Sequence, residues 1–342
     1  MKATINDVAK LSGVSIKTVS RVMNNEPSVR QLTREKVQAA VKELNYQPNL
    51  AARNLAGTKS YTIAYVYDNP NAYYIIDMQE GILAACRQQG FELLINPCDS
   101  QQENITEDII NTIKQARVAG LVLTPPFSEN PEFVKRITDL DINVVRIMSG
   151  DAAPDDLSPC VMVNDRDAAQ TITQHLIDLG HNKIAFIAGG AEHMSTIERY
   201  KGYRRALKAN GIEFNKNLLI EGEYSFESGV NGAKQLMSSD NSIEDRPSAI
   251  FSCNDEIAAG ALFAARLMSI SIPEQLSIAG FENSPFSRQT WPKLTTANQP
   301  NKEIAKNAAS LLISQVRKQK NNNEINQYVP QLVVRDSTGQ LS

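Results

Sequence analysis

TINDVAKLSGVSIKTVSRVMN, residues 4–24, predicts two short helices joined by a tight turn. Thr4 can cap the first helix, because Asp7 stands three residues later and can return a hydrogen bond to the cap. Gly13 can adopt the left-handed conformation that ends a helix sharply. Ser15 can then cap a second helix, which the pattern extends to the end of the stretch.

Each of these two helices has one apolar side at helical spacing. The apolar side consists of Ile5, Val8, Ala9 and Leu11 in the first helix and of Val19, Val22 and Met23 in the second. The outer side of the second helix carries Lys17, Ser20 and Arg21, and Ile16 lies at its N-terminal end. A short helix with a cationic, hydrogen-bonding outer side suits a DNA major groove. The simpler alternative is a small helical core with a solvated basic face.

The next forty residues favour the DNA-binding interpretation. Residues 33–44 predict a third helix, whose core positions are Val37, Ala40, Val41 and Leu44. The segment NYQPNLAARNLAGTKS, residues 45–60, then predicts a short helix that Asn49 caps and Gly57 ends. A helix of one or two turns is not stable alone, so this one must fold against another surface.

Four motifs in this region carry a resemblance to a known family. They are DVAKLSGVSxxTVSRVMNN (residues 7–25), TREKV (33–37), NYQPN (45–49) and AARNLAG (51–57). Together they resemble the DNA-binding headpiece and hinge of the LacI/GalR family of bacterial transcription regulators. The resemblance implies a helix-turn-helix headpiece over residues 1–47 and a hinge helix with its linker over residues 48–60.

The family likeness also suggests what individual residues do at a double-stranded operator. Base edges would be read by Ile16, Lys17, Ser20 and Arg21. The phosphate backbone would be contacted by Thr4, Ser15, Thr18 and Asn24. The minor groove would receive the hinge residues Asn49, Ala52, Arg53 and Leu55, with Leu55 as the wedge that kinks the duplex. Two hinge helices are needed to support that wedge, so we expect a homodimer on a near-palindromic site.

The charge distribution supports nucleic-acid binding at one end of the chain only. Residues 1–60 contain ten Lys and Arg against four acids, a net charge of +6. The formal net charge of the 342 residues is −3, so the remainder carries −9. A small basic module on an acidic body is typical of a protein that contacts DNA through one domain.

Several other classes of protein are disfavoured by the sequence. No apolar run approaches the ~18 residues of a membrane span, and Met1-Lys2 is followed by a helix cap instead of a signal peptide. We therefore expect a cytoplasmic protein. Its four cysteines form no CxxC pair and its three histidines no metal-ligand spacing, so we expect free thiols, no metal and no cofactor.

From Tyr61 onward, strand and helix patterns alternate, which predicts an α/β body of parallel sheets. The alternation occurs twice, so we expect two doubly wound lobes with a crevice between them. Lobe one would comprise residues 61–159 and 293–321, and lobe two residues 160–292 and 322–338. This body, residues 61–342, resembles the family's periplasmic-binding-protein-like effector domain, through which the chain would also dimerise.

Polar and aromatic side chains cluster where the predicted strands end, which is where two-lobed parallel sheets bind ligands. They are Asp68, Asn69, Tyr73, Tyr74, Ser195, Arg199, Tyr224, Asn254, Asp255, Glu282 and Gln299, and Arg146 lies two residues before the end of its strand. Each has a simpler explanation, since Asp and Asn cap helices and an Arg near a helix start is usually solvated. Their shared location favours a site that hydrogen-bonds a sugar.

The resemblance strengthens part of this set. It implies effector contacts for Arg199 in ERYKGY, for Ser195, and for Asn254-Asp255, with Tyr224 as an aromatic wall. Two positions depart from the family pattern. Glu282 stands where an Asp is usual, and Met148 ends a strand that often ends in Asp, so an anionic or amino-sugar ligand remains open.

We therefore expect a transcription regulator, a repressor of carbohydrate-utilisation genes that a sugar or sugar phosphate controls. The alternatives are a sugar-binding transport receptor or co-activator with the same lobes, and an enzyme. No GxGxxG follows the first body strand, and the chain has no GxxxxGK[ST] and no GxSxG, which argues against an enzyme. The effector, the sign of its effect, the operator, and a dimer as opposed to a tetramer stay open.

Overall fold

A computed structural model describes residues 3–23, 29–46, 60–238, 246–319 and 327–341. The predicted hinge helix lies outside these ranges, as do Asn24, which was predicted to contact phosphate, and Asn49, Ala52, Arg53 and Leu55, which were predicted to enter the minor groove. None of the helices in the described ranges has the length and hydropathy needed to span a bilayer.

The N-terminal unit consists of helices α1 (Ile5–Ser12), α2 (Ile16–Met23) and α3 (Gln31–Glu43). The predicted reciprocal cap is present: the Thr4 N–H donates to Asp7 Oδ2 at 2.8 Å, and the Asp7 N–H donates to Thr4 Oγ1 at 3.4 Å. Gly13 has φ = 67°, the left-handed conformation that a tight turn requires. The Thr18 N–H donates to Ser15 Oγ at 3.2 Å, which caps α2 as predicted.

A small apolar core joins these three helices, and its buried members are Val8, Ala9, Val19, Val22, Val37 and Ala40. The assignment of Leu11 to this core was wrong, because its side chain is 46% exposed. Three residues turn a helix by about 300°, so Leu11 lies about 60° from Val8 on the solvent side. Ser12 is the more buried neighbour, and its hydroxyl donates to the Val8 carbonyl.

The first lobe contains a six-stranded parallel sheet with helices on both faces. Its strands are β1 (Thr62–Tyr67), β2 (Glu92–Pro97), β3 (Gly120–Leu123), β4 (Asn143–Ser149), β5 (Cys160–Val163) and β11 (Gln327–Tyr328), in the order β11-β5-β4-β3-β1-β2. Its helices are α4 (Ala72–Gln89) and α12 (Asn301–Val316) on one face, and α5 (Ile105–Ala116) and α6 (Pro131–Thr138) on the other. This is the doubly wound arrangement that the alternating pattern predicts.

The second lobe contains a four-stranded parallel sheet and its own core. Its strands are β6 (Ile184–Ile187), β7 (Leu219–Ile220), β8 (Ala249–Ser252) and β9 (Ser277–Ala279), in the order β7-β6-β8-β9. Its helices are α7 (Asp165–Asp178), α8 (Met194–Ala209), α9 (Phe226–Leu236), α10 (Asp255–Leu267) and α11 (Phe286–Gln289). Strands β10 (Thr296–Asn298) and β12 (Gln331–Val333) pair antiparallel beside this lobe.

The chain crosses between the lobes at places that differ from the predicted boundaries. Strand β5 pairs with β4 and β11 pairs with β5, so residues 160–163 and 327–328 belong to the first sheet, although we expected them in lobe two. Leu294 and Ala297 pack in the second core, although we expected lobe one to begin again at 293. The crossings therefore follow directly after β5, β10 and β11, because each strand or helix joins the core that its apolar side can complete.

Candidate functional site

A narrow cleft with a cavity volume of about 50 Å³ lies between the lobes at the carboxyl ends of their strands. Its lining combines hydrogen-bonding groups with apolar walls: Asn69, Asn71, Tyr74, Pro125, Ile147, Met148, Ser149, Val163, Asp165, His193, Ser195, Arg199, Tyr224, Glu282 and Gln299. A concave site with a few convergent polar groups is typical of a small-molecule pocket.

Arg199, on the first turns of α8, is the centre of the polar network. Its Nε donates to Asp165 Oδ1 at 2.8 Å, and its guanidinium also donates to the Cys253 carbonyl at 2.7 Å and to Gln299 Oε1 at 3.3 Å. The guanidinium carbon lies 3.8 Å from the centre of the Phe281 ring. These contacts fix a fully buried cation at the base of the cleft.

Glu282 faces Arg199 from the end of the β9 segment. Its Oε1 lies 3.6 Å from an Arg199 nitrogen, and its Oε2 accepts a hydrogen bond from Asn71 Nδ2 at 2.8 Å. Its backbone has φ = 96°, a conformation that side-chain-bearing residues rarely adopt. The glutamate that stands where aspartate is usual in the family thus contacts both Arg199 and Asn71, a residue of the other lobe.

Tyr224 forms the aromatic wall on the second lobe. Its hydroxyl lies 3.0 Å from Ser195 Oγ and 2.8 Å from Thr196 Oγ1, and its ring meets the His193 ring edge-on at 5.4 Å. A Cβ atom on Gly189 would lie 2.5 Å from the tyrosine ring, so the strand end must be glycine for the ring to lie flat there.

Across the cleft, three hydrogen bonds between described residues join the two lobes. Asn71 donates to Glu282, Ser149 Oγ donates to Asp165 Oδ2 at 2.5 Å, and the Met194 N–H donates to Glu129 Oε2 at 3.3 Å. At the edge of the cleft, the rings of Tyr73 and Phe286 pack edge-on at 5.6 Å. The lobes are therefore in a closed arrangement that side chains of the cleft itself stabilise.

The structure brings seven of the twelve predicted effector residues to the cleft lining: Asn69, Tyr74, Ser195, Arg199, Tyr224, Glu282 and Gln299. The other five lie elsewhere, and each has a different partner. Asp68 accepts a hydrogen bond from the Ser100 N–H at 2.9 Å, and Tyr73 packs on Phe286 at the rim.

Arg146, Asn254 and Asp255, which were predicted to bind the effector, do not line the cleft, because other contacts hold them. Arg146 is buried and forms a two-pronged ion pair with Asp155, at 2.5 and 3.1 Å, on the loop after β4. Asn254 caps α10 by accepting the Ile257 N–H at 2.9 Å. Asp255 accepts the Thr296 hydroxyl at 2.6 Å and the Ser284 N–H at 2.7 Å, which ties three segments of the second lobe together.

Sequence reasoning missed two polar residues that are central to the network. Asp165 was interpreted only as the start of a helix, although it follows β5 closely and so obeys the same strand-end rule as Asp68. Asn71 was overlooked because its Oδ1 caps α4, accepting the N–H groups of Tyr73 and Tyr74, both at 3.1 Å. Its amide nitrogen remains available for Glu282.

The second candidate surface lies on α2 of the N-terminal unit. Lys17, Arg21 and Ile16 are exposed, Ile16 by 49%, and Ser20 is half-buried. These four residues fall within an arc of about 140°, opposite the buried Val19 and Val22. Three of the residues predicted to contact phosphates lie at helix starts. The hydroxyls of Ser15 and Thr18 lie 2.9 Å apart at the start of α2, and Thr4 caps α1. The first turns of α2 therefore present an uncovered face with hydrogen-bonding and cationic groups.

Three buried carboxyl groups predict how stability depends on pH. Burial raises the pKa of Glu129, Asp255 and Glu282 each to about 7. The folded chain therefore holds more protons than the unfolded chain between pH ~4 and ~7. Raising the pH through this window lowers the free energy of unfolding. Each tenfold difference in proton affinity between the two states corresponds to roughly 1.4 kcal/mol. We expect Tm to fall between pH 5.5 and pH 8, and Asp255→Asn to flatten that slope. A Tm that rises over this range would contradict the raised pKa values of these three carboxyl groups.

This architecture defines a class: a DNA-binding helix-turn-helix unit on a two-lobed, periplasmic-binding-protein-like body. The profile of the lacI family of bacterial regulatory proteins matches residues 4–49, and that of the periplasmic binding protein-like domain matches residues 173–338. The chain is 30% identical over 340 residues to the HTH-type transcriptional repressor PurR of Vibrio vulnificus, covering 99% of this chain and 100% of the relative. The chain belongs to the LacI family of bacterial transcription regulators.

Two solved structures share the whole fold. The lac repressor dimer bound to operator and an anti-inducer has a TM-score of 0.74 at 25% identity, covering 99% of this chain and 100% of that one. The transcriptional regulator CelR in complex with cellobiose has a TM-score of 0.73 at 26% identity, covering 98% and 99%. The relatives are transcriptional repressors, so this chain is a transcription regulator and not an enzyme.

Proposed function

We propose that this regulator represses carbohydrate-utilisation genes by binding a near-palindromic operator as a homodimer, and that a sugar in the inter-lobe cleft controls its affinity for DNA. The observation that carries the proposal is the hydrogen bond between Asn71 and Glu282, because it joins the lobes through a residue that also contacts Arg199. A ligand that exchanges hydrogen bonds with these groups changes how the lobes close. The open and closed arrangements of the lobes are the two states through which effector binding changes the affinity for operator DNA.

The chemistry of the cleft supports a polyhydroxyl ligand. Asp165, Arg199 and Gln299 offer charged and amide partners for hydroxyl groups, while Tyr74 and Tyr224 add aromatic side chains to the lining. The relative CelR was solved with cellobiose, a sugar. The predicted minor-groove wedge, Leu55, completes the proposal on the DNA side.

The base-reading role of α2 yields a prediction. Lys17→Ala and Arg21→Ala should each weaken specific operator binding by about 1–3 kcal/mol, because lysine and arginine donate to guanine edges in the major groove. The control is Lys36→Ala, which removes the same charge from an exposed position of α3 and should change the affinity by no more than about twofold. Competition with unrelated DNA provides the readout. Equal losses on operator and unrelated DNA would show that α2 contacts only phosphates.

The proposal as a whole is tested by fluorescence anisotropy of labelled DNA from the regulatory regions beside this gene. The titration is repeated with a panel of free sugars and sugar phosphates. We expect specific binding, and one sugar that either releases or tightens the complex. Release would make the protein an inducible repressor, and tightening would make the sugar a corepressor. No specific DNA binding at low salt would overturn the proposal.

A further inference from the structure

We propose that the cleft selects an uncharged polyhydroxyl effector and rejects phosphorylated sugars. This inference rests on the proposed function and narrows its ligand class. Among the described residues that line the cleft, Arg199 and His193 are the two that can carry a positive charge. Whether the cleft rejects anions therefore depends on whether Arg199 or His193 has a positive charge that can pair with an anion.

The Arg199 charge is already balanced inside the protein. Asp165 accepts from its Nε at 2.8 Å, and Glu282 lies 3.6 Å from another of its nitrogens. The two carboxylates are themselves fixed, Asp165 by Ser149 and Glu282 by Asn71. Burial raises the pKa of Glu282 to about 7, so both groups are carboxylates at pH 8. A phosphate that approached the arginine at that pH would meet both of them at close range, and like charges in a buried site disfavour binding strongly.

His193 does not supply the missing charge. Burial lowers the pKa of its imidazole, so the ring is neutral at pH 7. Its Nε2 lies 3.1 Å from Glu192, and its ring packs against Tyr224. The carboxylate Glu129 also lies on the first-lobe side of the interface, where it accepts from the Met194 N–H. The charged groups around the cleft are thus balanced or acidic.

The backbone conformation of Glu282 indicates that the surrounding structure holds its carboxyl group in one place. It has φ = 96° and its neighbour Asn283 has φ = 58°, so two consecutive side-chain-bearing residues lie in the left-handed region. Such strain persists where the surrounding structure fixes it, and it concentrates at ligand sites. The strained turn holds a carboxylate against Arg199, which leaves paired donors and acceptors for hydroxyl groups and no net positive charge for an anion.

The test removes one carboxylate and asks whether the cleft then accepts phosphate. Glu282→Gln keeps an amide oxygen for Asn71 but frees part of the Arg199 charge. Asp165→Asn likewise keeps an amide oxygen for Ser149 and frees part of the same charge. The matched control is Asp167→Asn, which neutralises a carboxylate on the same helix as Asp165 that pairs with Arg205 at the surface and does not line the cleft. Each full-length protein is titrated with inorganic phosphate and with glucose 6-phosphate at pH 8, above the Glu282 pKa of about 7, and at constant ionic strength, and thermal unfolding is followed.

We expect neither the wild type nor Asp167→Asn to show saturable stabilisation by either anion. Glu282→Gln or Asp165→Asn should show it, with Tm rising by about 3 °C at tenfold excess over Kd. A wild-type protein that binds glucose 6-phosphate more tightly than glucose would overturn the inference. So would two folded variants that both fail to gain anion binding. These outcomes do not depend on DNA, so they are distinct from a failure of the proposed regulation.

Discussion

Arg199→Ala is expected to destabilise the second lobe by about 3–5 kcal/mol, because it leaves the buried carboxylate of Asp165 without its cation. The arginine also bonds the Cys253 carbonyl and packs over Phe281, and both contacts would be lost. Denaturant unfolding, followed by circular dichroism, measures the change.

The control for Arg199→Ala is an ion pair of similar length at the surface. Arg136 donates to Glu107 at 2.6 Å, but both side chains are 52% exposed. Arg136→Ala should therefore cost no more than about 1 kcal/mol. Equal effects of the two substitutions would mean that the Arg199 network is a solvated ion pair and not a buried one. If Arg199→Ala is studied well below its unfolding transition, DNA binding by the N-terminal unit should persist while the sugar response is lost.

Gly202→Ala is expected to lower stability by about 3 kcal/mol and to weaken effector binding as well. A Cβ at this position would lie 2.2 Å from the Arg166 carbonyl oxygen and 2.8 Å from Ala169 Cβ, so α8 must move away from α7. Arg199 lies one turn earlier on α8, and its partner Asp165 begins α7. The same movement therefore lengthens the central ion pair of the cleft.

Gly232→Ala serves as the matched control for Gly202→Ala. Gly232 also lies in a helix of the second lobe, but the atom nearest to its added Cβ is a side-chain methyl of Ile187 at 3.0 Å, which can adjust. Alanine also favours a helix by up to about 1 kcal/mol over glycine, so the net change should be small. Effector affinity is measured by calorimetry for both variants. Unchanged affinity in a folded Gly202→Ala protein would show that the spacing of α7 and α8 does not position Arg199.

The local features of this chain could be predicted from sequence because their partners are close in sequence. The cap of Thr4 by Asp7, the turn at Gly13 and the cap by Ser15 each involve neighbours within a few residues. The rule that polar strand ends form the site also identified Arg199 and Glu282 correctly as lining the cleft. The N-terminal unit thus followed from periodicity and capping, and the location of the cleft from the strand-end rule together with the family resemblance.

The remaining features depend on partners that are distant in sequence or on competition between partners. Asn71 and Glu282 are 211 residues apart, so their bond across the lobes had no local signal. Arg146 was assigned to the cleft because it lies two residues before the end of its strand, and Asp155, nine residues later, gave no local sign of the ion pair. The lobe boundary was misplaced at β5 because a buried apolar strand fits either sheet, and only its pairing with β4 decides between them.

Regulation by a sugar requires that the cleft and the DNA-binding unit be coupled, and this coupling can be measured in both directions. The affinity for operator DNA is measured with and without a saturating sugar, and the affinity for the sugar with and without operator. We expect both affinities to change by the same factor, roughly 5- to 150-fold, because the linkage between two sites is reciprocal. A sugar that occupies the cleft while leaving DNA affinity unchanged, and whose own affinity is unaffected by DNA, would contradict the proposed regulation.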